Sequence, residues 1–347
     1  MSTAKLGVLL IFLTTMSHYH LYAIGNALVD TEYEVSDELL NTMGVSKGHM
    51  TLIDTPQRAE LLTHVQGLHA RRTGGGSAGN TVVALAQLGG QAFYSCRVAD
   101  DELGAFYMQD LLANKVATNL THTRPSEGQT GSCMVLVTPD AERSMCTFLG
   151  ATSQLDASAL HPQEIAKSKI YYMEGYLAAS PTGLEAAVKG RQIAIDHQVA
   201  TALTLSDVSM INFCKAGLEA MLGNGLDYLF ANEEEAQTWC GSTNLEAILA
   251  QLSPLAKTVC LTRGAKGCIV LQGNHRTDVS AVPTQAVDTN GAGDMFAGTF
   301  LYGITHGFSP AQAAALANRT AAAVVSQHGN RLTATQMHAI AAGFKSA

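Results

Sequence analysis

The sequence predicts an α/β protein with a mostly parallel sheet covered by helices on both faces and a small second sheet standing off it. Three observations carry this reading. Short apolar runs alternate with helix-period segments along most of the chain, the pattern of parallel strands joined by helical crossovers. Residues 131–148 break that alternation with two runs of interleaved polar and apolar residues about Pro139-Asp140-Ala141-Glu142, which reads as a β-hairpin. The 347 residues are 47% hydrophobic and 14% charged, enough for one large core with an accessory layer.

The chain opens with Lys5 and the apolar run Leu6–Leu13, too short for a membrane span and followed by no small-x-small cleavage site. Residues 1–15 are therefore expected to be an upstream extension or mis-assigned start, with the domain running from Met16 to residue 347. Leu21-Tyr22-Ala23-Ile24-Gly25-Asn26-Ala27-Leu28-Val29-Asp30 reads as one buried strand that ends on Gly-Asn and delivers an aspartate. Further strands are expected at 91–97, 170–172, 202–205, 228–231, 258–261 and 267–271. Helices are expected at 79–88, 104–113, 180–197, 295–306 and 310–326. Residues 33–35 and 50–53 would join the hairpin in the small sheet, so its segments fall near 31–54 and 125–150.

Composition excludes several functions. The formal charge of −8 is spread without a long run of one sign, and nucleic-acid binding rests on clustered Lys and Arg that the chain lacks. No stretch reads as a membrane span. The 7 cysteines form no C-x-x-C pair and no zinc-like Cys/His spacing; they read as buried thiols in a reducing compartment, the cytoplasm.

Two glycine-rich segments carry the chemistry. Gly74-Gly75-Gly76-Ser77-Ala78-Gly79-Asn80 fits G-x-G-x-x-G and G-x-S-x-G by letter. Both motifs need a buried strand directly before them, and Leu68-His69-Ala70-Arg71-Arg72-Thr73 is not one. The dehydrogenase and serine-hydrolase readings fail there. What survives is a backbone that passes close to a ligand, with Asn80 near a helix start offering an amide that binds a hydroxyl at two points. In Asp288-Thr289-Asn290-Gly291-Ala292-Gly293-Asp294, small residues open a helix and end in a carboxylate. Bare amides at a helix N-terminus suit a phosphate or a developing oxyanion. Asp294 in the first turn would be a base beside that cradle. The plainer alternative is a glycine loop with a capping acid.

Together, the Gly-Gly-x-x-x-Asn segment and Asp-Thr-x-Gly-Ala-Gly-Asp resemble the two signatures of the ribokinase-like (PfkB) carbohydrate and nucleoside kinases. Between them, Asn232 and Glu235 match that family's Asn-x-x-Glu motif, and Leu261–Gly267 resembles its Thr-x-Gly-x-x-Gly turn through Thr262, Gly264 and Gly267. The resemblance runs in order from about Tyr22 to about Leu332. It leans toward the adenosine kinases: Gly25–Asp30 is similar to their Gly-Asn-Pro-Leu-Leu-Asp opening, with Ala27 at the proline, and Glu174–Pro181 is similar to their Gly-Phe-Phe stretch before Ser-Pro. The hairpin's Thr138-Pro139-Asp140 is similar to sugar-kinase lids, so base and sugar specificity stay open.

The resemblance implies a ribokinase-like fold with the small sheet as a lid, and transfer of the ATP γ-phosphoryl group to a hydroxymethyl group, with adenosine the leading acceptor. Asp294 would be the general base, and the amides of Gly291, Ala292 and Gly293 the anion hole. Asp30, Gly76 and Asn80 would bind ribose hydroxyls, Asn26 and Gly75 would join them in the substrate site, and Tyr176 would stack on the nucleobase. Asn232, Thr262, Gly264, Gly267 and Asn318 would lie on the ATP side. Asn232 and Glu235 would organise Mg²⁺ through water, and Asp288 is a candidate for a monovalent-cation site such as K⁺. For Asn318 the alternative is a satisfied polar residue between helices. A sugar kinase of the ribokinase or fructokinase type is the second reading, and a non-catalytic nucleoside-binding protein the third. Partners would be the small-molecule acceptor and ATP, on a monomer or homodimer.

Overall fold

A computed structural model describes residues 18–122, 127–140 and 142–344. The extension 1–15, its boundary at Met16 and the turn residue Ala141 lie outside them. Fourteen strands form among the described residues: β1 Tyr19–Ile24, β2 Leu28–Glu34, β3 Met50–Leu52, β4 Ala70–Gly75, β5 Ala92–Ser95, β6 Val116–Thr118, β7 Ser132–Val137, β8 Arg143–Phe148, β9 Ser168–Glu174, β10 Ala200–Thr204, β11 Leu226–Asn232, β12 Ala256–Thr262, β13 Cys268–Gln272 and β14 His275–Val279.

Nine of them make one sheet in the order β14-β13-β12-β11-β10-β9-β1-β5-β6. Pairing is parallel from β6 to β12, and only β13 and β14 add an antiparallel edge. The central strands are continuous apolar runs because helices cover both faces. On β1, Leu21 and Ala23 join the core under helices Ser77–Gln87, Ala292–Thr305 and Pro310–Val325, while Tyr22 and Ile24 join the opposite core under Pro181–Asp196 and Val208–Leu222.

The remaining five strands form a second sheet, β3-β8-β7-β2-β4. The expected hairpin is there: β7 and β8 pair antiparallel, with Ser132 opposite Phe148. Successive side chains point to opposite faces of the sheet. Met134, Leu136 and Cys146 pack with Leu40 and Leu61 of helices Asp37–Thr42 and Thr55–His64. Cys133, Val135, Met145 and Thr147 point the other way, into a cavity.

One expectation needs correction. Residues 21–30 are not one strand but two, in different sheets. The chain leaves the main sheet at Ile24 because Gly25 lies against other atoms; a Cβ there would stand 2.5 Å from Glu174 Oε2 and 2.6 Å from Ala78 Cβ. The next amide, on Asn26, donates to the side chain of Glu174 instead of a main-chain carbonyl of a neighbouring strand. The strand leading into the glycine run, which includes Gly74 and Gly75 themselves, is not a buried one. It is β4, an antiparallel partner of β2 whose Ala70, Arg71 and Arg72 are exposed, so the buried parallel strand required by a dinucleotide fingerprint is still missing. Helix Val208–Leu222 and strands β6 and β14 were not legible from periodicity.

Candidate active site

A cavity of about 520 Å³ opens between the carboxyl ends of the main-sheet strands and the inner face of the small sheet. Glu174, Thr204, Asn232 and Thr262, the last residues of β9, β10, β11 and β12, line its floor. This is where open α/β sheets bind ligands. Asp30, Val135 and Met145 line the roof.

Helix Ala292–Thr305 starts at the cavity wall. Gly291 is its N-cap with φ 77°, and a Cβ there would come 2.4 Å from the Asn330 carbonyl oxygen, so only glycine fits. The first ladder bond runs from Met295 N–H to the Gly291 carbonyl at 2.9 Å, leaving the Gly293 and Asp294 amides free of the ladder. The Ala292 amide instead reaches back to Thr289 at 3.3 Å. Asp294 lies in this first turn. Its Oδ1 accepts the Ser77 hydroxyl at 2.6 Å and its Oδ2 accepts Asn80 Nδ2–H at 2.9 Å. Burial pushes the Asp294 carboxyl up, and those two hydrogen bonds, with the Arg331 charge, pull it back.

Four other carboxylates, those of Asp30, Glu174, Asp207 and Glu235, share the cavity. Burial raises Asp30 to about 7, opposed by Arg331, Arg143 and the Asn330 hydrogen bond. Glu174 has no exposed surface and is raised to about 7 by burial, although it accepts the Ala78 and Asn26 amides. Glu235 is also raised to about 7, first by burial and then by the charges of Asp207 and Asp294. It forms a capping box with Asn232 on helix Glu233–Cys240: Asn232 N–H donates to Glu235 Oε2 at 3.0 Å and Glu235 N–H donates to Asn232 Oδ1 at 2.8 Å, while Asn232 Nδ2–H also donates to Oε1 at 2.7 Å. This crowd of like-charged hard oxygens is what a divalent cation relieves. No group of three or more His, Cys, Asp or Glu among the described residues is placed to hold a metal. A magnesium ion beside Asn232 and Glu235 would have to keep several waters in its shell.

Tyr176 lines the cavity from the short helix Gly175–Ala179, its hydroxyl 3.4 Å from the Ser206 carbonyl. Its loop is clamped by the Gly175 amide donating to Ser206 Oγ at 2.8 Å.

Of the residues singled out from sequence, Asn26, Asp30, Gly76, Asn80, Tyr176, Asn232, Glu235, Thr262 and Gly291–Asp294 all line this one cavity. Gly75 sits just behind it, where a Cβ would meet the Asp30 carboxylate at 2.6 Å. Gly264 and Gly267 shape the turn between β12 and β13, outside the cavity wall. Asn318 donates to the Val279 and Ser280 carbonyls at 3.2 and 2.9 Å, tying helix Pro310–Val325 to the end of β14. Asp288 accepts the Asn290 and Gly329 amides, each at 3.0 Å, and stands 3.5 Å from Arg143.

Sequence reasoning missed Ser77, Glu174, Asn330 and Arg331 as site residues. Asn330 donates to Asp30 Oδ2 at 2.8 Å, and Arg331 Nε–H donates to Asn80 Oδ1 at 2.7 Å. An acid ending the apolar strand 170–173 was a visible signal for Glu174. For Gly329-Asn330-Arg331 no local pattern marks the role, which depends on the return of the chain after helix Pro310–Val325.

The family model described as pfkB family carbohydrate kinase matches residues 43–337. The chain belongs to this family. It is an ATP-dependent kinase of the nucleoside and sugar kinase class, with the ribokinase-like arrangement of a large, mostly parallel sheet and a small separate one. It is 28% identical to the adenosine kinase of Saccharomyces cerevisiae over 309 residues, covering 83% of this chain and 89% of that protein. The crystal structure of adenosine kinase from Sinorhizobium meliloti superposes with a TM-score of 0.83 at 36% identity, covering 94% of this chain and 99% of the other. A probable sugar kinase protein from Rhizobium etli CFN 42 superposes with a TM-score of 0.85 at 35% identity, covering 95% and 100%. No helix among the described residues is long and apolar enough to cross a membrane.

Proposed function

We propose that the chain transfers the γ-phosphoryl group of ATP to the 5′-hydroxyl of adenosine, giving AMP and ADP. The observation that carries this reading is one cavity in which Asp294, at a glycine-rich helix start, faces the same space as Tyr176 and the polar side chains of Asn26, Asp30 and Asn80. Asp294 accepts the proton of the acceptor hydroxyl as its oxygen bonds to the γ-phosphorus, and the bond from phosphorus to the β–γ bridging oxygen breaks to release ADP. A carboxyl raised by burial is better matched to that proton than a surface aspartate. The free amides of Gly293 and Asp294 stabilise charge on the transferring group, with those of Gly291 and Ala292 alongside. The reading thus moves the anion hole one residue toward the helix, since the Ala292 amide is partly engaged with Thr289.

Asn232 and Glu235 would hold Mg²⁺ through water; bound there, the ion would neutralise phosphate charge. Asp30 and Asn80 orient the acceptor, and Tyr176 with Met210 and Leu149 offers an apolar wall for a base. The wall supports a nucleoside over a free sugar, which has nothing to place against it. The resemblance to the Rhizobium etli protein supports the sugar-kinase alternative.

An acceptor panel decides between them. ADP release with MgATP is measured for adenosine, other nucleosides, ribose and fructose, and adenosine should give the highest kcat/KM. A higher value for a free sugar moves the assignment to a sugar kinase. ADP from no acceptor, with adenosine still bound, points to a binding protein.

A further inference from the structure

We propose that Arg331 is a positioning residue for phosphoryl transfer: its guanidinium sets the orientation of the Asn80 side-chain amide, so that an N–H of Asn80 faces Asp294. This rests on Asp294 acting as the base. The two ends of an asparagine amide have nearly the same shape and opposite hydrogen-bonding character. Here Nδ2–H donates to Asp294 Oδ2 at 2.9 Å, and Oδ1 accepts Arg331 Nε–H at 2.7 Å. Turned over, the amide would set an oxygen against the carboxylate and an NH₂ against the guanidinium. Arginine carries donors only and stays charged, so it permits one orientation.

Arg331 is itself held. Its Nη1–H donates to Asp110 Oδ2 at 2.6 Å, from helix Glu102–Ala113, and its side chain is 10% exposed. The glycine run makes room for this pair, since a Cβ on Gly74 would lie 2.3 Å from Asp110 Oδ2 and 2.9 Å from Arg331 Nη1. Arg331 does not line the cavity; it reaches the reacting atoms through Asn80. The groups facing Asp294 are Asp30 on β2, Glu174 and Tyr172 on β9, Tyr176, Glu235 and Arg331. Those facing Arg331 are Asp30, Asp294, Tyr107 and Asp110. Arg331 is thus the cation that favours the ionised base among several acids.

The test compares Arg331→Met, Arg331→Lys, Asp110→Asn and Asp294→Asn in the full chain, reading kcat and KM against pH with MgATP and the best acceptor, and melting temperature. Arg331→Met should lower kcat at neutral pH at least about tenfold, leave the KM for ATP within about threefold, and move the acid limb of kcat/KM up by about one pH unit. Asp110→Asn cuts only the outer ion pair and should lose melting temperature while keeping the acid limb. Arg331→Lys keeps a charge but lacks the Nε donor, so kcat should stay low and the acid limb should shift less; it also stands in if the Met variant does not fold. Full kcat in the Lys variant, or a Met variant that loses only melting temperature, overturns the proposal. An active Asp294→Asn overturns the base assignment itself. An inactive Asp294→Asn beside an unaffected Arg331→Met overturns only the role of Arg331.

Discussion

Replacing Glu174 with glutamine isolates the cost of one buried charge. Glu174 ends β9 with no exposed surface, and its two oxygens accept the Asn26 and Ala78 amides at 2.6 and 2.8 Å. Burial outweighs those donors and raises the carboxyl from 4.5 to about 7. The folded protein therefore binds this proton more tightly than the unfolded chain. The stabilising contribution is complete below about pH 4.5 and is lost as pH rises through about 7. A rise of about 2.5 pH units, the difference between those two values, corresponds to about 3 kcal/mol at about 1.36 kcal/mol per unit. Glutamine matches the shape of the protonated acid, carries one acceptor and one donor end, and does not titrate. The unfolding free energy of Glu174→Gln minus that of wild type should climb by about 3 kcal/mol from pH 4 to pH 8. Asp30 and Glu235 titrate in both proteins and cancel in the difference. Urea unfolding followed by circular dichroism at several pH values measures it. A difference that is flat within about 0.5 kcal/mol, or that falls with pH, would refute the burial argument.

Gly76 caps helix Ser77–Gln87 at φ 85°, and a Cβ there would sit 2.0 Å from the Asn26 carbonyl oxygen; Gly76→Ala should therefore cost more than about 2 kcal/mol of stability. An unchanged melting temperature and unchanged acceptor KM would show that the loop has room there. Tyr176→Ala should remove stacking of roughly 1–3 kcal/mol, raising the KM for adenosine about 5- to 150-fold with a smaller change in kcat, because the contact is present before and during reaction. Any activity on ribose should barely move, and an unaltered adenosine KM would count against the stacking role.

The alternation of apolar runs and helices was enough to read the parallel sheet, because strands buried on both faces leave uninterrupted apolar runs such as those of β9 and β11. The small sheet was legible through the period-2 pattern of β7 and β8. What periodicity could not show was the change of sheet at Gly25–Ala27. Residues 21–30 look like one strand, and the break is dictated by Glu174 and Ala78, distant in sequence. Edge strand β4 was hidden because its exposed arginines carry no apolar signal. For the site, the glycine-rich segments were legible because free amides and close backbone approach demand small residues. Asn330 and Arg331 were not, since an Asn-Arg pair after a helix has no local signature and gains its meaning only where the chain returns to Asp30 and Asn80.

The central claim is that Asp294 takes the acceptor proton, and the most direct measurement is ADP production by Asp294→Asn with MgATP and the preferred acceptor, alongside binding of ATP to the same variant. Asparagine keeps the shape and a hydrogen-bond acceptor but cannot take the proton. The kcat of this variant should fall at least about 10²- to 10⁴-fold with ATP binding near normal. A variant that keeps more than about a tenth of wild-type kcat would contradict the claim.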